Sequence, residues 1–106
     1  MKFDLTYDLI VDGHKTLTSR APYDKWYSWY KGINVKPKYA NAEAEDGRTC
    51  KILLIGCNVL QLGYVAQNKY WEEGFSSIDS FVQAWIKLHG RYDEKLYVCS
   101  IEFKKV

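Results

Sequence analysis

The densest group of side chains able to do chemistry is the octet Gly13-His14-Lys15-Thr16-Leu17-Thr18-Ser19-Arg20. In an extended segment alternate residues share a face, so Thr16, Thr18 and Arg20 point one way and Leu17 the other. A threonine hydroxyl beside a lysine is a candidate nucleophile and base, provided burial brings the lysine toward neutrality. Arg20 adds a planar fork for a carbonyl oxygen or a phosphate. The same octet also reads as a surface strand with Lys15 and Arg20 in water. Farther on, adjacent Glu72 and Glu73 are a candidate proton donor or a solvated pair near a helix start. The run Tyr23, Trp26, Tyr27, Trp29, Tyr30 offers Trp26 and Trp29 as platforms for a stacked base, a contact of ~1–3 kcal/mol. It also suits a core filling or an end cover for a barrel.

The elements that must position these groups follow from periodicity. Phe3, Tyr7, Ile10 and Val11 recur at three- and four-residue spacing and predict a helix over Phe3–Asp12, with Gly13 as its left-handed cap. Lys15–Arg20 is predicted to be extended. Tyr23, Trp26, Tyr27 and Tyr30 share one helical face, and Pro22 suits a first turn. Ile33–Val35 reads as a short strand. Lys36–Gly47 reads as the least ordered stretch and ends in the turn signal Asp46-Gly47. Cys50–Cys57 reads as a buried strand, and Asn58–Val65 as extended or looped. Ile78, Phe81, Val82, Trp85 and Ile86 form a full apolar stripe, predicting a helix over Ser77–His89 between a Ser76/Asp79 capping-box variant and Gly90. Tyr97, Cys99, Ile101 and Phe103 alternate along a last strand, Lys95–Lys104. The order implies an α+β domain with a curled sheet.

Composition narrows the classes. The 106 residues suit one domain, and 47% hydrophobic with 26% charged residues is globular composition. No apolar run approaches the ~20 residues of a membrane helix. Asp4, Asp8 and Asp12 occupy the place where a secretory signal would need basic and apolar regions. The expectation is a soluble, cytoplasmic protein. Three cysteines, Cys50, Cys57 and Cys99, with no C-x-x-C pair and with His14 and His89 remote in sequence, fit neither a disulfide scaffold nor a zinc site. The net charge of +2 is too small to announce a nucleic-acid binder. His14–Lys51 holds 8 basic against 4 acidic residues, a local excess of 4 that suits a nucleotide, a phosphate or an ordinary surface.

The octet resembles the G-x-K-x-x-[ET]-x-R signature of ASCH domains, a branch of the PUA-like superfamily. Glu73-Gly74-Phe75, the helix ending Trp85-x-x-x-His89-Gly90 and the strand containing Ile101-Glu102-Phe103 are similar to the family's second half, and Asp46-Gly47 stands where the family turns a hairpin. Residues 21–45 lie outside the resemblance. In length and in the threonine version of its motif the chain is most similar to the small bacterial members that deacetylate N4-acetylcytidine. The resemblance implies a PUA-like, mostly antiparallel β-barrel with two flanking helices. It further implies an amidohydrolase without metal or cofactor, with Lys15 as general base, Thr18 as nucleophile and Glu73, or else Glu72, as proton donor. Phe75 and Trp71 are the apolar neighbours expected to desolvate that donor. Arg20, with Trp26 and Trp29, would hold the nucleoside or nucleotide. Other ASCH functions, RNA or nucleotide binding without catalysis and metal-independent RNA cleavage by His14 and Lys15, are the alternatives.

Overall fold

The computed structural model describes all residues, Met1–Val106. The elements run α1 (Tyr7–Val11), β1 (Leu17–Arg20), α2 (Tyr23–Tyr30), a 3-10 turn (Lys31–Asn34), β2 (Lys38–Glu43), β3 (Thr49–Gln61), α3 (Leu62–Asn68), α4 (Ile78–His89) and β4 (Tyr97–Lys105). The strands form a four-stranded antiparallel sheet in the order β1-β4-β3-β2. The α+β class holds. The sheet is open, which corrects the expected closed barrel: β1 and β2 are its two edges. The N-terminal segment lies along β2 through a parallel bridge between Lys2 and Glu43. On the other side of the gap, Arg20 of β1 donates to the Lys2 carbonyl at 2.7 Å.

Alternation along β4 divides the core. Cys99, Ile101 and Phe103 face one cluster with Phe3, Ile10, Ile33, Ile52 and Leu54. Val98, on the opposite face, joins Leu62, Val65, Ala66, Phe81 and Trp85. The second cluster is what docks α3 and α4 on the sheet. Cys57 and Cys99 meet in the first cluster with sulfurs 3.2 Å apart, and burial pushes both thiols above their ordinary pKa.

Several expected boundaries move. The first helix covers Tyr7–Val11 rather than Phe3–Asp12, because residues 1–3 are drawn out along β2: Phe3 N–H donates to the Glu43 carbonyl at 2.9 Å. Gly13 does take the left-handed conformation, φ 80°. Ile33–Val35 is not a strand. Its Asn34 side chain instead brackets Cys57, donating to the carbonyl and accepting from the N–H at 2.8 Å each, beyond the point where β2 stops pairing with β3. Lys36–Gly47, expected to be the least ordered stretch, contains β2, whose Ala40 and Ala42 lie opposite Ile52 and Cys50. Its hairpin turns at Asp46-Gly47 as expected, with Gly47 at φ 93°. Within Asn58–Val65, β3 continues to Gln61 and then gives way to α3. The cap of α4 is Ser77 with Ser80, one residue on from the expected Ser76/Asp79 pair.

Candidate active site

Lys15 precedes β1, and its side chain is 3% exposed. Glu73 sits in the turn after α3, 58 residues away, with its side chain 5% exposed. Backbone bonds bring them together. The Glu72 carbonyl accepts from the N–H groups of Thr16 and Leu17 at 2.8 and 3.0 Å, which fastens the turn to the start of β1. The turn is wound by Glu73 N–H to the Lys69 carbonyl and Phe75 N–H to the Tyr70 carbonyl, and closed by Gly74 at φ 100°. Lys15 Nζ then donates to Glu73 Oε1 at 3.0 Å and to the Glu73 carbonyl at 2.8 Å. Glu73 Oε2 is buried and has no hydrogen-bond partner. An orphaned carboxylate oxygen in such surroundings is costly unless something else is meant to meet it.

A cavity of about 280 Å³ opens over this pair. Lys15, Thr18, Arg20, Trp26 and Glu73 all line it, together with Phe75, Phe81 and Trp85. Thr18 and Arg20 share one side of β1, as alternation requires, and Arg20 Nε donates to Thr18 Oγ1 at 3.2 Å. The guanidinium lies over Phe3 at 4.7 Å and over Trp26 at 5.2 Å. Burial lowers the Lys15 pKa; the Glu73 carboxylate works against that shift and Arg20 adds to it. Burial lowers Arg20 as well, against the attraction of Glu73, Tyr30 and Asp4. Two cations therefore share one buried carboxylate, and the cavity favours a ligand that brings or develops negative charge.

Not every expected residue arrives. Trp29 lies outside the cavity, 61% exposed, along a separate groove. Trp71 is 63% exposed and does not line the cavity, so the apolar wall beside Glu73 is Phe75 alone of the expected pair. His14 lies in a different recess with Trp71, Gly74 and Phe75, which separates it from the buried face of Lys15. Glu72 contributes its carbonyl to the clamp, and its side chain stays out of the cavity.

The same arrangement of strands and helices occurs in solved structures. Protein EF3133 from Enterococcus faecalis V583, of the family DUF984, matches with TM-score 0.63 over 93% of this chain at 15% identity; the chain spans 65% of that protein's length. The ASCH domain from Lactobacillus crispatus JV V101 matches with TM-score 0.58 over 92% of this chain and 68% of that one, at 21% identity. The hypothetical protein PH0355 matches with TM-score 0.65 over 100% and 96% of the two chains, also at 21% identity. The chain has an ASCH-like fold. No family model and no curated protein matches it.

In this ASCH-like frame the rim of the cavity carries a residue that sequence reasoning had left without a role, His89. It follows Trp85 by one helical turn and stacks on it, ring centroids 4.0 Å apart. Desolvation and the nearby Arg20 lower its pKa. The i, i+4 spacing from a core tryptophan was the available signal, since it puts His89 on the inward face of α4. Ser19 is a second addition: its hydroxyl is buried against that of Ser100 at 2.7 Å, under the cavity wall.

Proposed function

We propose that the chain is a small amidohydrolase that removes the acyl group from an N4-acylated cytidine, with N4-acetylcytidine as the substrate implied by its resemblance to ASCH domains. The observation that carries the proposal is the buried Lys15–Glu73 pair beneath a cavity that also holds Thr18 and Arg20. A buried ammonium–carboxylate pair shares one proton that either partner can hold. With the proton on Glu73, Lys15 is an amine able to take the proton of Thr18 as its oxygen attacks the acyl carbon. The tetrahedral oxyanion then forms within reach of the Arg20 guanidinium, whose charge opposes it. Collapse breaks the C–N bond, and Glu73 delivers its proton to the departing N4. The Lys15 ammonium then passes its proton to the Glu73 carboxylate and is an amine again; it takes a proton from the water that attacks the acyl-threonine and gives that proton to the departing Thr18 oxygen, which releases the acid and returns the site to its starting state.

A second reading has its own support. Thr18 Oγ1 is held by Arg20 rather than by Lys15, an arrangement that would serve a module which binds a nucleotide and leaves it intact. Incubation with N4-acetylcytidine, followed chromatographically for cytidine and acetate, decides between them. Turnover by the wild type and its loss in Lys15→Ala support the amidohydrolase. Binding of cytidine derivatives with no acetate released supports the module.

A further inference from the structure

One polar side chain of the cavity has no part in the chemistry at Lys15, Thr18 and Glu73. The α4 wall consists of Phe81, Ala84, Trp85, Leu88 and His89. Among these five, only His89 carries both a hydrogen-bond donor and an acceptor. Trp85, on which it stacks, is buried and packs in turn on Phe81. The imidazole is fixed by that stack and by no hydrogen bond, so both ring nitrogens stay free. Burial and the charge of Arg20 hold it below the ordinary histidine range, so near neutral pH it is an uncharged ring with one donor and one acceptor. Lys2 and Asp4 also border the cavity, from the N-terminal segment, as two exposed groups of opposite charge.

We propose that His89 positions the ligand by its ribose, hydrogen-bonding the 2′- and 3′-hydroxyls, and so sets a preference for the nucleoside over the free base. The inference rests on the ligand being a cytidine, as proposed above, and not on its turnover. The cavity has a deep end and a mouth. The Lys15 and Glu73 side chains are 3% and 5% exposed, whereas Leu88 and His89 are both exposed. An N4-acyl group that reaches the deep pair turns C4 of the pyrimidine inward. N1 stands opposite C4 in the ring, so the ribose is directed to the mouth, where His89 lies. Between the two ends the α4 side of the wall is apolar and offers the base no competing polar group. Each ribose hydroxyl both gives and accepts a hydrogen bond, which are the two functions of a neutral imidazole. Arg20 can only donate, and it is already engaged with Thr18 and the Lys2 carbonyl. A few well-placed polar groups in an otherwise apolar pocket are what fix a ligand's orientation.

Isothermal titration calorimetry with cytidine and with 1-methylcytosine, which keeps the base and replaces the ribose by a methyl group, tests this without turnover. The wild type is expected to bind cytidine more tightly. His89→Ala and His89→Phe each weaken cytidine binding about 5-fold, with a smaller effect on 1-methylcytosine. Phenylalanine keeps a ring to stack on Trp85 and has no nitrogen, so its loss of affinity separates hydrogen bonding from packing. His89→Gln restores a donor and an acceptor and recovers part of the loss. In acetate release from N4-acetylcytidine the same loss appears in KM more than in kcat. Urea unfolding confirms that each variant is folded. The inference is overturned if the wild type binds the two ligands alike or binds neither, if His89→Phe binds cytidine like the wild type, or if 1-methylcytosine loses as much affinity as cytidine. Acetate release that is indifferent to His89 overturns it and leaves the amidohydrolase standing. Cytidine binding that depends on His89, with no acetate released, supports it and removes the amidohydrolase.

Discussion

Replacement of Glu73 by leucine isolates the energetic logic of the site. The substitution leaves Lys15 in a place where its side chain is 3% exposed, with its carboxylate partner gone and only the residue-73 carbonyl still accepting from Nζ. Removing one member of a buried ion pair costs ~3–5 kcal/mol. The upper end is set by the alternative open to the lysine, which is to lose its proton. From an ordinary lysine value of 10.5, deprotonation at neutral pH costs roughly 4.8 kcal/mol at 1.36 kcal/mol per pH unit. The sign of the pH dependence follows. Burial lowers the folded-state pKa of Lys15, and loss of Glu73 removes what opposed that shift. The unfolded chain then binds more protons than the folded one, so the stability of Glu73→Leu rises with pH by up to ~1.4 kcal/mol per unit until the unfolded lysine itself titrates. Adding Lys15→Met replaces the pair by two apolar side chains of similar bulk, which is often neutral or stabilising. The double variant is therefore expected to recover most of the loss, and its stability to lose the pH dependence. Urea unfolding of wild type, both single variants and the double variant between neutral pH and mildly alkaline pH measures the coupling directly. Additive single effects, or a Glu73→Leu stability indifferent to pH, would show that the two groups are not the coupled, desolvated pair described.

Four further outcomes are expected. If Lys15 and Glu73 act as base and acid on one shared proton, kcat/KM for N4-acetylcytidine falls as the pair loses that proton, through a lysine value lowered by burial, and this alkaline limb lies below the range of an ordinary lysine; a pH–rate profile over neutral to alkaline buffers checks it. If Thr18 is the nucleophile, Thr18→Ser retains part of the acetate release and Thr18→Ala loses it, whereas Thr18→Ala keeps part of it if Lys15 activates water directly; single-turnover assays separate the two. Gly74→Ala destabilises the fold by more than 1 kcal/mol, roughly, since Gly74 has φ 100° and an added Cβ would stand 2.9 Å from Leu9 Cδ1 and 3.3 Å from Lys15 Cβ; urea unfolding reads the loss. Phe103→Ala, at a position 1% exposed and in ring contact with Phe3, costs ~3–5 kcal/mol by the same measurement.

What the sequence made legible depended on how much pattern each segment carried. The stripe on α4 and the alternation on β4 are long and regular, and both elements stand where periodicity put them. α3 went unread because its stripe, Leu62, Val65 and Ala66, is short and is interrupted by Gly63, which reads as a breaker. β2 went unread because its inward residues are Ala40 and Ala42, which are poor strand formers beside a run of turn residues. The start of α1 was misplaced because Phe3 belongs to the helical pattern by spacing but is claimed by a partner remote in sequence, Glu43. At the site, the octet and Glu73 were visible as residue types in a familiar order, and the structure brings Lys15, Thr18, Arg20, Trp26 and Glu73 to one cavity. Their convergence depends on the Glu72 carbonyl, a backbone group with no side-chain signature. Trp26 and Trp29 were indistinguishable in sequence, and only the rotation of α2 against the sheet separates the one at the cavity from the one in water.

The position of the cavity follows from the way the sheet fails to close. A barrel would require its two edge strands, β1 and β2, to be joined by a ladder of backbone bonds. The N-terminal segment satisfies β2 through Lys2, Phe3 and Glu43. Its connection to β1 is a single side chain, the Arg20 guanidinium on the Lys2 carbonyl. A ladder at that seam would set the backbones about 5 Å apart and leave no room for a ligand. Bridging the seam with a long side chain leaves the space that residues 2–6 line on one side and Lys15, Thr18 and Arg20 on the other. Arg20 thus has two duties, tying the edge of the sheet and presenting charge to the cavity, and no shorter residue reaches both. Lysine could keep the charge. It has one ammonium where arginine places Nε on Thr18 and a terminal nitrogen on Lys2 at the same time, so it could hold one end of the seam and would release the other.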